Sequence, residues 1–177
     1  DVKSPNIKDK YIFVPLPILL NESISIIRLI LKYLKLNKLD IKILIKTHPA
    51  VSVDHFLKKF TFPDSVSFTD KPTDSLMHHT QILISGVSSI CMESICLGIP
   101  TIIIETDKCI IFDPIPKNLE KDHFIRVSSY DGLSKYLNLY LKFDYKKREN
   151  IKKSTYRLKN LFFEQPSNEN KLKMLKL

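Results

Sequence analysis

Glycine is scarce in this sequence: three in 177 residues, at Gly86, Gly98 and Gly132. No Gly-x-Gly-x-x-Gly dinucleotide fingerprint and no Gly-Lys-Thr phosphate loop is present, which argues against a dehydrogenase or a P-loop ATPase. Cysteine is equally sparse, and Cys91, Cys96 and Cys109 lack metal-ligand spacing. Cys91 and Cys96 flank a stretch that reads as a buried helix, and Cys109 follows a strand. All three are expected as buried free thiols in a reducing compartment. The five histidines, His48, His55, His78, His79 and His123, are not spaced to converge on a metal, and none is expected. No apolar run is long enough to cross a bilayer, no signal peptide is visible and no internal repeat appears. The first residue is Asp1 rather than Met, so the chain reads as a fragment.

What is present is an ordinary composition for a folded domain with a real core, 44% hydrophobic and 27% charged. Short apolar runs alternate with stretches of helical spacing. Strands are expected at Tyr11 to Leu16, Ile41 to Ile45, Val66 to Phe68, Ile82 to Ile84, Thr101 to Ile104 and Phe124 to Val127. The first helix has apolar positions Ile26, Ile27, Ile30, Leu31 and Leu34, with Asn21 or Ser23 as its cap. Further helices are expected over 53–60, from Thr73 to His79, from Ser88 or Ser89 through Leu97, and over Tyr130 to Leu141 and Tyr145 to Phe163. This alternation predicts one α/β domain over 11–164, a doubly wound parallel sheet with right-handed crossovers. Residues 1–10 read as a linker and 165–177 as a mobile basic tail.

The sequence is organised around Gln81 to Glu105. Ile82 to Ile84 suit a central strand buried on both faces. Gly86 allows either a positive φ or a close backbone approach. Ser88 and Ser89 stand where a helix begins, Gly98 where it ends, and Pro100 cannot continue it. A helix N-terminus beyond a parallel strand is an anion site, because free N–H groups and the helix dipole point outward there. Two hydroxyls can add donors. Glu93 lies one turn on, along the face of Ser89, placed to accept from ribose hydroxyls. The alternative is that the serines only cap the helix and Glu93 is a solvated acid.

A second site follows the second strand, at Lys46-Thr47-His48-Pro49. The proline keeps His48 out of helical geometry. Its imidazole can donate to a phosphate oxygen and, when charged, protonate a leaving phosphate. Lys46, two residues back, can share that anion. The alternative is a partly buried histidine bonded to backbone. Asp113-Pro114-Ile115-Pro116 reads either as a rigid surface loop or as a cleft lining.

The pair Lys46-Thr47-His48-Pro49 and Gly86-Val87-Ser88-Ser89 resembles the HP and Ser-Ser motifs of bacterial sialyltransferases and polysialyltransferases of the GT-B fold. Capsule Kdo transferases and polyglycerol-phosphate transferases are similar here. The resemblance spans roughly residues 41–128. It implies the Rossmann-like C-terminal half of a GT-B glycosyltransferase, with a cytidine nucleotide held by Lys46, His48, Pro49, Gly86, Ser88 and Ser89. It also implies that His48 assists departure of the donor phosphate. Glu93 followed by Gly98-Ile99-Pro100 resembles the wider GT-B pattern, including the UDP-GlcNAc 2-epimerase group, where a helix glutamate meets the ribose. The expected reaction moves sialic acid or Kdo from a CMP donor to a cell-surface or lipid-linked glycan, without a cofactor. The families' catalytic base lies in an N-terminal acceptor domain with no counterpart here, so donor binding without turnover is expected. A UDP-sugar transferase or epimerase is the alternative.

The net charge of +9 is local: residues 142–177 carry eleven Lys and Arg against four Asp and Glu, leaving +2 for the rest. This end reads as a solvated helix packing through Leu158, Leu161 and Phe162. Alternatively it attaches to an anionic membrane surface, at the inner face of a cytoplasmic membrane. Tyr145, Tyr156, Phe162 and Phe163 interleave with the basic residues, which keeps open a third class, a non-catalytic RNA- or membrane-binding module.

Overall fold

Isoleucine-rich runs of three to six residues, too short for buried helices and rich in β-branched side chains, become the strands of a single sheet. The computed structural model describes residues 10–106, 113–115 and 124–162. Cys109, Pro116, His123, Phe163, the lead-in before residue 10, the 165–177 tail and the side chains of Leu161 and Phe162 lie outside the described residues. The strands are β1 (Tyr11–Pro15), β2 (Lys42–Lys46), β3 (Val66–Phe68), β4 (Thr80–Ser85), β5 (Thr101–Ile104) and β6 (Phe124–Val127). Every pairing is parallel, in the order β3-β2-β1-β4-β5-β6. Register pairs apolar with apolar at the centre, as in Ile12 with Ile43 and with Ile82.

Alternation along β1 shows how both faces are filled. Ile12 and Val14 join a core with α1 (Leu20–Leu36), α2 (Asp54–Leu57) and α5 (Tyr130–Leu141), through Ile26, Ile27, Ile30, Phe56, Leu133 and Leu137. Tyr11 and Phe13 face the other layer, α3 (Thr73–Met77), α4 (Ser89–Cys96) and α6 (Tyr145–Phe162), through Met77, Cys91, Ile95 and Leu158. This is the doubly wound α/β sheet expected from the alternation.

Helix starts depart from side-chain capping: of α1 to α5, α5 alone takes such a bond. Neither Asn21 nor Ser23 caps α1, because the helix begins earlier, at Leu20, with Leu19 as an N-cap that makes no side-chain bond. Ser23 is buried inside the first turn, its hydroxyl donating back to Pro17 O at 2.8 Å. That bond anchors the strand-to-helix passage and replaces a cap. In the β4-to-β5 crossover, Gly98 has φ +71° and closes α4. Gly98 N–H donates to Ile95 O and Ile99 N–H to Ser94 O, the paired bonds of a Schellman stop.

Candidate functional site

The strand order reverses between β1 and β4. In open parallel sheets, ligands settle beyond the C-terminal strand ends at such a reversal. The exits of β1, β2 and β4 are stitched together there. Leu16 N–H donates to Lys46 O at 2.8 Å, and Ser85 Oγ donates to Pro15 O at 2.8 Å.

The turn after β4 delivers the chain into α4 with its donors unspent. Ser88 is the N-cap, extended at φ −156°, ψ 154°, yet its hydroxyl makes no capping bond. The hydroxyls of Ser88 and Ser89 and the amides of Ser89 and Ile90 have no partner among the described residues. The serines therefore do not serve as side-chain caps. Gly86 has no positive φ; its role is the close approach. A Cβ there would collide with the Glu22 carboxyl and lie 3.4 Å from the Pro17 ring.

His48 lies two residues past β2. Its Nδ1 accepts the Ala50 N–H at 3.2 Å and its carbonyl accepts the Val51 N–H at 2.8 Å. Acceptance at Nδ1 places a proton on Nε2, the nitrogen left to donate outward. β1 separates β2 from β4, so His48 and the serines flank the end of β1 across two strand spacings, about 10 Å. They share the sheet edge and are not bonded to each other among the described residues. Lys46 is largely committed elsewhere: Nζ donates to Asp70 O at 3.1 Å and Lys71 O at 2.7 Å, pinning the β3–α3 loop. One donor of three is left for a ligand. Beside it opens a hollow of about 480 Å³, lined by Lys46, Thr47, Pro49, Phe68, Thr69 and Asp70 among others.

Glu93 projects from α4 one turn beyond Ser89, half-buried. Burial raises its carboxyl above the usual range, and the nearby Asp74 carboxylate pushes the same way. Asp74 was not legible as a neighbour, because nothing in the sequence sets the packing of α3 on α4. Arg126 was also missed. It bonds Glu105 at 2.9 Å and Asp113 at 2.6 Å, fixing the exit of β5 to β6. Asp113 is thus pinned, and Ile115 is buried, which makes the described part of the Asp-Pro loop a fixed rim.

Glu22 is the largest omission. It sits in the first turn of α1, 2% exposed, with Oε1 buried and without a hydrogen-bond partner. Burial raises its carboxyl, partly offset by the Val87 N–H. Ser23 as the cap leaves Glu22 outside the helix, and with Asn21 as the cap nothing in the sequence marks it as buried. Cys91 and Cys96 are free and buried, pushed up to about 12 and about 11 by that burial, so both thiols are chemically quiet. Among the described residues no group of three or more His, Cys, Asp or Glu is arranged to hold a metal. No described helix is long and apolar enough to cross a membrane.

No protein-family model matches the sequence, nor does any curated protein. Solved structures do match. A glycotransferase of kitacinnamycin superposes with TM-score 0.60 at 13% identity, covering 91% of this chain and 44% of that one. The glycosyltransferase SnogD from Streptomyces nogalater gives 0.58 at 13%, covering 88% and 41%. The wall teichoic acid polymerase TagF, soaked with CDPG, gives 0.56 at 17%, covering 85% and 36%. The chain thus spans less than half the length of each. At these identities the likeness is one of fold: the six-stranded sheet matches one Rossmann-like half of GT-B glycosyltransferases.

Proposed function

We propose that this chain is the donor-binding half of a GT-B glycosyltransferase, which moves sialic acid or Kdo from a CMP-activated donor to a cell-surface or lipid-linked glycan. One observation carries the reading: the unspent hydroxyls and amides at the start of α4, beside the reversal of strand order. Ser88 and Ser89 cradle the donor phosphate at the helix N-terminus, where the dipole favours an anion. His48 donates from Nε2 to that phosphate as it departs, and the free donor of Lys46 adds charge. Pro49 and Gly86 keep the two turns in place, and Glu93 accepts from the ribose. The acceptor site and the catalytic base belong to a second domain, so this chain alone binds donor and does not turn it over. The Lys46–Pro49 and Gly86–Ser89 motifs, together with a fold neighbour soaked with CDPG, support a cytidine nucleotide.

Calorimetric titration with CMP, CDP, UMP and UDP, repeated on His48→Ala, tests the reading. Cytidine preference with about tenfold or greater loss in the variant is expected, since a hydrogen bond to a charged group contributes roughly 1.5–3 kcal/mol. Uridine preference moves the assignment to a UDP-sugar enzyme of the same architecture. Absence of binding by a folded chain, with or without its acceptor domain, overturns it.

We also propose that α6 rests on an anionic membrane surface. Ile151 and Thr155 are buried, whereas Lys146, Lys152, Lys153 and Lys159 share the outward face with Tyr145 and Tyr156, 79% and 65% exposed. Arg148 is spent differently, donating to the carbonyls of Phe143, Gln81 and Tyr140. Binding to phosphatidylserine vesicles is expected to weaken roughly fivefold per lysine changed to Gln, at about 1 kcal/mol each. Equal binding to neutral vesicles, or salt-dependent binding to RNA alone, contradicts it.

A further inference from the structure

The carboxyl of Glu22 lies directly under the turn that leads to Ser88. It enters from the first turn of α1 and fills the space where Gly86 has no side chain, a space the Pro17 ring also borders. It is buried, and Oε1 finds no donor. Gly86 and the Val87 N–H meet it from the β4 exit, and the Pro17 ring borders the same gap at Gly86; none of these is titratable. Among the described residues no charged side chain contributes to its titration. A buried acceptor with no donor is uncommon and asks for a reason.

We infer that Glu22 is a positioning residue for the phosphate turn and takes up a proton when an anion settles on Ser88 and Ser89. This rests on the phosphate site proposed above. The physical basis is like-charge repulsion in a place already short of solvent. Burial disfavours the carboxylate, and the Val87 N–H is the one neighbour that favours it. A phosphate two residues along the turn adds a second negative charge, which shifts the balance further to the neutral acid. Neutral Glu22 then holds the Gly86 backbone by packing, without opposing the ligand. No bond is made or broken apart from that O–H, whose proton comes from solvent.

The test is calorimetry of the chain with CMP and UMP in buffers of different ionisation enthalpy, across pH 5 to 8, for wild type and Glu22→Gln. The nucleotide's own phosphate proton is common to both proteins, so their difference isolates Glu22. Expected is net proton uptake by wild type beyond that of the variant. Its affinity should fall more steeply with rising pH, by up to tenfold per pH unit, the limit for one coupled proton. The variant should still bind. Binding by both with the same proton count overturns the inference and leaves the phosphate site standing. Failure of folded wild type to bind either nucleotide removes the site and the inference with it. If Glu22→Gln does not fold, the ¹³C shift of the Glu22 carboxyl in wild type decides. Its titration midpoint should move up on adding nucleotide, and an unmoved midpoint overturns the inference.

Discussion

Ser88 and Ser89 stand at the start of α4 without giving it a side-chain cap. A serine N-cap ordinarily contributes about 1 kcal/mol through its side chain, and here that bond is not made. Ser88→Ala with Ser89→Ala should therefore leave the urea midpoint close to wild type while weakening nucleotide binding by roughly tenfold to a hundredfold, the range for lost bonds to a charged group. A large drop in midpoint with binding intact would mean that the hydroxyls serve the helix. At this scale the sequence was legible where spacing along one element sufficed: Ser88, Ser89 and Glu93 come from one turn and one helix. It was silent where two elements meet. Glu22 against Gly86, Asp74 beside Glu93 and Lys46 bonded to the carbonyls of Asp70 and Lys71 each depend on packing that no local pattern encodes.

Elements with strong punctuation were readable and those without it were not. β3 at Val66–Phe68 and α5 at Tyr130–Leu141 fall where the apolar pattern put them, and Ser129 caps α5 by accepting the Gly132 N–H at 3.2 Å. α1 misled because its polar Asn21 and Ser23 look like caps, while its true start has a leucine there. α2 is shorter than its pattern suggested, four residues with a turn after it. Gly98 carries the clearest consequence at this scale. Its φ of +71° suits glycine alone, and a Cβ would stand 2.5 Å from Lys152 Cα, so α6 crosses α4 only because that carbon is missing. Gly98→Ala should lower unfolding free energy by about 2 kcal/mol or more, from left-handed strain and the displacement of α6. An unchanged denaturation curve would show that α6 does not pack there.

For the whole molecule, alternation of apolar runs and helical spacing was enough to give a doubly wound sheet, because short buried strands and crossover helices leave few other arrangements. Strand order was not in the sequence, and it is what puts the exits of β2 and β4 on either side of β1. That order turns two short motifs, forty residues apart, into one edge. The most direct test of that edge is a ¹⁵N–¹H spectrum of the chain titrated with CMP. The largest amide shifts are predicted at Gly86 to Ile90, with a second group around His48 to Val51 and at Glu93. Shifts confined to α6 or to the N-terminal strand ends, or no shifts in the folded chain, would contradict a phosphate site at the start of α4.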